Sequence, residues 1–201
     1  MLLNEIFQIF DISANESVEA LITPISDKHI EEIELIWKPQ LSSQSALDQN
    51  FNITKYLNQP NIYEVYVLTC ENNLQGIIVL SFNRCASSLK STEKLVYLNL
   101  VNVAPWNRIF LEENRRYKGV GSSVVVFGIA RSIELGFEGR VGLHSLEEAE
   151  NFSRHLGFVD LGYDLSYLES EANPNPIKYF QMTERQAELT LLNFWLSIYL
   201  S

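Results

Sequence analysis

The hydrophobic positions of the 201-residue chain change period several times, and each change marks an element. Val18 to Ile25 alternates as a first strand, and Asp27 precedes a helical pattern, Ile30, Ile33 and Trp37, as its N-cap; Pro39 ends that helix. A second helix is predicted over Ser45–Leu57, stopped by Asn58-Gln59-Pro60. Tyr63–Cys70 and Leu74–Phe82 are β-branched and aromatic runs separated by Glu71-Asn72-Asn73, which predicts an antiparallel hairpin. Leu95–Val103 alternates again. Val96, Leu98 and Leu100 share one face, Tyr97, Asn99, Val101 and Val103 the other, and Ala104-Pro105 ends the pairing.

The stretch from Gly119 to Gly136 is ambiguous by propensity, because Val124-Val125-Val126 favours a strand. Its length and its glycine terminus decide for a helix. Gly139–His144 follows as a short strand. Ser145 with Glu148 three positions on has the form of a capping box for a helix ending at Gly157. Phe158–Leu165 and Ile177–Met182 are two further strands, and Thr183 caps a terminal amphipathic helix carrying Ala187, Leu191, Phe194, Trp195 and Ile198. The apolar side of that helix serves either its own domain or a homodimer seam.

Composition, 46% apolar and 20% charged, is that of one globular domain. The 15 basic and 25 acidic side chains leave a net charge of −10, which argues against a nucleic-acid or anionic-membrane partner. That charge is uneven: residues 1–82 carry 3 basic and 11 acidic groups (−8), residues 83–140 carry 9 and 5 (+4), and residues 141–201 carry 3 and 9 (−6). Cys70 and Cys85 make no disulfide framework, and no Cys/His spacing suits zinc, so no metal is expected. The first ten residues have no basic residue before their apolar stretch, and no run approaches a membrane span of ~18 apolar residues. These features predict a soluble, cytoplasmic protein.

The basic centre contains Arg116-Tyr117-Lys118-Gly119-Val120-Gly121-Ser122 between a strand and a helix start. Glycines admit backbone N–H groups to an anion, and a helix start adds partial positive charge. Neither a Gly-Lys-Ser/Thr ending nor a full G-x-G-x-x-G is present, so these residues alone fit an anion cradle or a basic helix cap.

Arg-x-x-Gly-x-Gly after a strand, here Arg116, Gly119 and Gly121, is followed by a long helix, a strand and Ala149-Glu-Asn-Phe-Ser-Arg-His-Leu-Gly-Phe158. This combination resembles the GNAT superfamily of N-acetyltransferases, over about residues 63–160. The resemblance implies an α/β (α+β) fold: a mixed, strongly twisted, mainly antiparallel sheet of about seven strands flanked by helices, with a C-terminal helix over 183–200, in one domain spanning 1–201. It implies acyl-CoA as cosubstrate, acetyl-CoA foremost, with direct attack of an amine acceptor on the thioester. The acceptor is a small molecule, a peptide or a protein lysine. The pyrophosphate loop maps onto Arg116, Tyr117, Lys118, Gly119, Val120, Gly121, Ser122 and Ser123, and the backbone of Val101 and Val103 onto the pantetheine contacts.

A free alkylamine with a pKa near ~10.4 must lose a proton before attack, and the departing thiolate benefits from a donor. The family commonly has a tyrosine donor where this chain has Ser153. His144, just past a cleft strand, has an unperturbed pKa suited to proton transfer. Asn107 is assigned to orienting the reacting groups; Trp106, Asn102 and Glu112 to binding the acceptor; Tyr97 and Asn99 to lining the cleft. The same fold also admits a non-catalytic coenzyme-binding module, or transfer of a longer acyl chain.

Overall fold

The computed structural model describes residues 5–41, 52–82, 87–90, 92–108, 115–168 and 176–199. They group into two compact units, Met1–Val79 with Leu100–Val125 and Leu80–Asn99 with Val126–Ser201.

The first unit begins with an antiparallel pair, β1 (Glu5–Asp11) and β2 (Glu16–Pro24), in register from Glu5↔Ile22 to Asp11↔Glu16. Asp11 Oδ1 organises the turn by accepting from Ser13 N–H, Ser13 Oγ and Ala14 N–H at 2.8, 2.6 and 3.0 Å. Phe7, Ile9, Ala20 and Ile22 are buried while Ile6 is exposed. Apolar residues on both faces hide the period of β1, and the alternation read from the sequence therefore starts only at Val18.

Helix α1 (Asp27–Glu32) is capped by Ser26, not by Asp27. Ser26 is the residue in extended conformation, and it exchanges capping bonds with His29, leaving Asp27 as a first-turn acid beside the positive helix end. The chain continues through a π-helical turn (Ile33–Trp37) into α2 (Lys38–Gln40), so Pro39 does not stop it. The wide turn re-phases the ladder, and Pro39 falls at the start of a new one, where its missing N–H costs little. Ile33 and Trp37 are buried with Leu41, Ile53, Val65, Val67, Leu74, Ile77, Val79 and Ala104 in one cluster. Helix α3 (Ile53–Leu57) is capped by Asn52 Oδ1, which accepts from Lys55 N–H. The predicted helical residues 45–51 lie outside the described residues.

Strand β3 (Tyr63–Cys70) pairs with β2 and turns into β4 (Asn73–Ser81) through Glu71-Asn72, both at positive φ (52° and 62°). That is the two-residue type I′ geometry whose twist matches a hairpin. Strand β5 (Val96–Val103) leads to a 3₁₀ turn (Pro105–Asn107), and β6 (Tyr117–Lys118) pairs with β1 at Phe10↔Lys118 and Asp11↔Tyr117. The strand order runs β6-β1-β2-β3-β4 in this unit, and β4, β5 and helix α4 (Val120–Glu134) continue into the second.

In the second unit β5 pairs in parallel with β7 (Val141–Ser145), at Val96↔Val141 and Tyr97↔Gly142. Strand β7 pairs antiparallel with β9 (Pro176–Met182), and β9 with β8 (Val159–Leu168), which carries two register shifts. Nine strands are thus described where the sequence suggested about seven; β1 and β6 are the additions.

Helix α4 ends as the glycine predicts. Gly136 takes φ +77°, and its N–H and that of Phe137 bond to Ile133 and Ser132 carbonyls. The Ser145–Glu148 capping box does not form: Ser145 remains in β7, paired with Lys178 and buried, and a 3₁₀ turn (Glu147–Ala149) precedes α5 (Glu150–His155). Helix α6 (Glu184–Tyr199) starts on a reciprocal cap in which Gln186 N–H donates to Thr183 Oγ1 and Thr183 N–H to Gln186 Oε1. No helix among the described residues is long and apolar enough to cross a membrane.

Buried Arg140 ties this unit's ends together, pairing through Nη1 with Glu93, Glu138 and Glu184 while Nε donates to Lys94 C=O. Beside it, Gly139 has φ +80°, and a Cβ there would stand 2.6 Å from Ala187 Cβ of α6. Gly139→Ala should therefore cost about 2–4 kcal/mol in urea denaturation, combining overpacking with left-handed strain. Gly136→Ala, with equal φ strain but open space, should cost only about 1–2 kcal/mol.

Candidate functional site

In the first unit, β6 returns the chain to β1 and Gly119, at φ +89°, turns it into α4. The first bond of that helix is Ser123 N–H to Gly119 C=O at 2.8 Å. The N–H groups of Val120, Gly121 and Ser122 therefore precede the ladder, as helix geometry requires, and carry its positive end. Lys118 and Gly119 are exposed and Gly121 and Ser122 half-buried, so this end is open to an anion. Ser123 Oγ, fully buried, has no hydrogen-bond partner among the described residues. The Val120 side chain turns inward onto Gly76.

Arg116 pairs with Glu71 at 2.6 Å, and its guanidinium lies 4.9 Å from the Tyr117 ring centre. Both charged groups are largely exposed, 45% and 61%, so the pair is a weak one that another anion can replace. Tyr117 itself is buried. Desolvation, then its contact with the Cys70 thiol, pushes its phenol well above the ordinary range, so it stays neutral.

Near the end of β5, Asn102 Oδ1 accepts from Val103 N–H (3.0 Å) and from Arg108 Nη2, while Arg108 Nε donates to Val103 C=O at 3.0 Å. Both backbone groups of Val103 are thus engaged within the chain. Val101 is half-buried. Trp106 Nε1 and Asn107 Nδ2 both donate to Gln75 Oε1 at 2.9 Å, and Asn107 Oδ1 accepts from Tyr117 N–H at 2.9 Å. Asn102 and Asn107 are buried, so their polar ends face the chain rather than solvent. Glu112 lies outside the described residues. Gln75 was missed by the sequence reading; its signal is a lone amide in the apolar run Leu74–Leu80, where burial demands a partner.

The second unit gathers a different set around His144, whose side chain is 8% exposed. Its Nδ1 lies 2.6 Å from Tyr97 Oη, from the last β5 residue paired with β7, and its Nε2 lies 3.1 Å from Asp164 Oδ2 of β8. The imidazole packs 5.0 Å from the Tyr179 ring of β9, its register partner. Tyr179 in turn lies across Gly142, where a Cβ would stand 2.3 Å from the phenol oxygen.

Burial holds His144 below its ordinary pKa of 6.5, with Asp164 opposing. Hydrogen bonds from Ser166 Oγ and N–H, and secondarily His144, hold the Asp164 carboxyl below its ordinary range. An ionised carboxylate only accepts, so neutral His144 donates Nε2–H to Asp164 and presents Nδ1 as acceptor to the Tyr97 hydroxyl. A base oriented by a carboxylate and facing an O–H is an arrangement that can take up and return a proton. Ser153 is placed differently: its buried hydroxyl donates back to Ala149 C=O at 3.3 Å and lies 3.4 Å from Ser145 Oγ. The sequence placed Tyr97 on the cleft face without its partner, and Asp164 carried no local signal.

No protein-family model matches the chain, and no curated protein matches it. Solved structures do. An N-acetyltransferase from Staphylococcus aureus Mu50 is 14% identical with a TM-score of 0.57, covering 83% of this chain and 98% of that one. Mycobacterium smegmatis RimJ in complex with CoA-disulfide is 11% identical with a TM-score of 0.59, covering 94% and 93%. Arabidopsis thaliana Naa50 in complex with the bisubstrate analogue CoA-Ac-MVNAL is 16% identical with a TM-score of 0.53, covering 82% and 98%. The chain has the fold of the GNAT acetyltransferases, as its paired motifs predicted.

The depressed pKa of His144 fixes a sign. The unfolded chain binds a proton there at a pH where the folded chain does not, so this contribution to stability is present above 6.5 and lost progressively as pH falls from there through the lower folded pKa. NMR titration of His144 should give a midpoint below 6.5, and Asp164→Asn, which removes the opposing partner, should lower it further.

Proposed function

We propose that the protein is an acyl-CoA-dependent N-acyltransferase that moves acetyl from acetyl-CoA to a primary amine. The observation that carries this reading is the hydrogen-bonded line Tyr97–His144–Asp164 on a GNAT fold. The CoA-disulfide and the bisubstrate analogue bound by RimJ and Naa50 support coenzyme use.

In this reading, the N–H groups of Val120, Gly121 and Ser122 hold the coenzyme's pyrophosphate at the helix start, with Lys118 and Arg116 as mobile counter-charges. The loop fits such a group because its exposed turn is glycine and its N–H groups precede the helical ladder. Coenzyme A supplies the activated acyl group as a thioester.

The acceptor arrives mostly as an ammonium, with a pKa near ~10.4. His144 Nδ1 draws off the proton through the Tyr97 hydroxyl, and Asp164 stabilises the imidazolium that results, the same division of labour as in a carboxylate-oriented histidine base. As the nitrogen–carbon bond forms and the carbon–sulfur bond breaks, Tyr97 returns a proton to the departing sulfur, and His144 is neutral again. The second proton that the nitrogen sheds in becoming an amide passes to solvent, so each turnover releases one proton. Asn107 and Ser153, whose polar atoms are engaged inside the chain, take no chemical step. The acceptor is a small amine, a peptide or a protein lysine.

Acetyl-CoA at a hundredfold excess over its Kd should stabilise the protein by about 2.7 kcal/mol in thermal unfolding. Thiol release over a panel of amines and peptides should then identify the acceptor class. His144→Gln and Tyr97→Phe should each lower kcat by about 10²–10⁴ with the coenzyme Kd unchanged. The absence of stabilisation by either acetyl-CoA or free coenzyme would overturn the reading. Stabilisation without thiol release for any amine would instead make the protein a coenzyme-binding module.

A further inference from the structure

Strand β6 is only two residues long, yet it delivers Gly119 to the start of α4. Two register pairs with β1 and the bond from Ile12 N–H to Arg116 C=O (2.9 Å) hold one side of it. The other side is held by the bond from Arg116 N–H to Trp106 C=O (3.2 Å) and, one residue on, by a line of buried amides. Gln75 Oε1 of β4 accepts from Asn107 Nδ2, Asn107 Oδ1 accepts from Tyr117 N–H, and Tyr117 stands two residues before Gly119. The same Gln75 oxygen accepts from Trp106 Nε1, and Gln75 C=O accepts from Ala104 N–H. Gln75 is 1% and Asn107 6% exposed.

The line has a direction. Asn107 must turn its NH₂ toward Gln75 and its oxygen toward Tyr117, and reversing it would face donor with donor and acceptor with acceptor. The position of the Tyr117 N–H is therefore set by a carboxamide whose own orientation is set from β4. Neither side chain is open to solvent, so neither is placed to touch a ligand.

We infer that Gln75 and Asn107 are positioning residues for the anion-binding loop, holding Lys118–Ser122 in register through the Tyr117 N–H. This rests on the proposed coenzyme use, and it gives Asn107 a role different from the direct one that its place beyond β5 suggested. A loop displaced by a fraction of an ångström presents its N–H groups to a phosphate at the wrong height, so the consequence falls on coenzyme affinity.

Two substitutions that add no charge break the line at either amide, and a third serves as control. Asn107→Leu removes the acceptor for Tyr117 N–H together with the donor to Gln75, and Gln75→Met removes the acceptor that orients Asn107. Gly136→Ala loosens the fold at a residue outside the loop and its line. Measured by calorimetry with coenzyme A, Asn107→Leu and Gln75→Met should each raise Kd about tenfold or more, with KM for acetyl-CoA following and kcat at saturation within about threefold of wild type, while Gly136→Ala should stay within about threefold in all three. Unchanged affinity in either folded line variant, an equal loss in Gly136→Ala, or a collapse of kcat at constant Kd would overturn the inference. Wild-type protein that binds no coenzyme A would overturn the proposed function instead.

Discussion

A neutral imidazole shut away from water can satisfy both nitrogens only if one partner accepts and the other donates, and the second unit is arranged around that requirement at His144. The acceptor must be ionised, which Ser166 secures by donating twice to Asp164. The donor must come from the opposite side, and Tyr97 can reach because its strand leaves the ladder with β7 at that residue. Tyr179 closes a third side with a ring rather than a charge. Burial alone would leave a silent histidine; the carboxylate on one nitrogen gives the other its basicity.

The first unit answers a different demand, that of presenting unpaired backbone donors without letting the chain collapse onto them. Helix geometry leaves N–H groups free at the start of α4, but the approach is a two-residue strand followed by a single left-handed glycine. Rigidity comes from amides and indole inside the unit rather than from the exposed cations. Arg116 and Lys118, the most visible features of the motif in sequence, are exposed, whereas Tyr117 between them is buried.

What the sequence disclosed follows the range of the forces involved. The hairpin from Tyr63, the helix ending at Gly136 and the cap at Thr183 rest on neighbours within a few residues, and they appear as read. Strand β6 exists only because β1 lies beside it, and β1 hides its period by carrying apolar residues on both faces. The Ser145 box fails because pairing with β9, more than thirty residues on, keeps that serine extended. The site divides the same way. Gly119, Gly121 and His144 could be named from type and position, whereas Tyr97 and Asp164 stand 47 and 20 residues from His144 and meet it only through the sheet. Asn107 could be named as a residue, but the partners that its buried amide joins, Gln75 on β4 and Tyr117 N–H, could not.

Gly142 has no unusual backbone angle to explain it; its side-chain space is filled by the Tyr179 ring. The two positions are therefore sterically coupled, and what fits at one depends on the side chain at the other. A methyl group at 142 evicts a ring at 179, and a smaller residue at 179 opens a gap beside His144 that a larger residue at 142 could fill. A single change at this wall of the site loosens the imidazole, and a paired one can keep it in place.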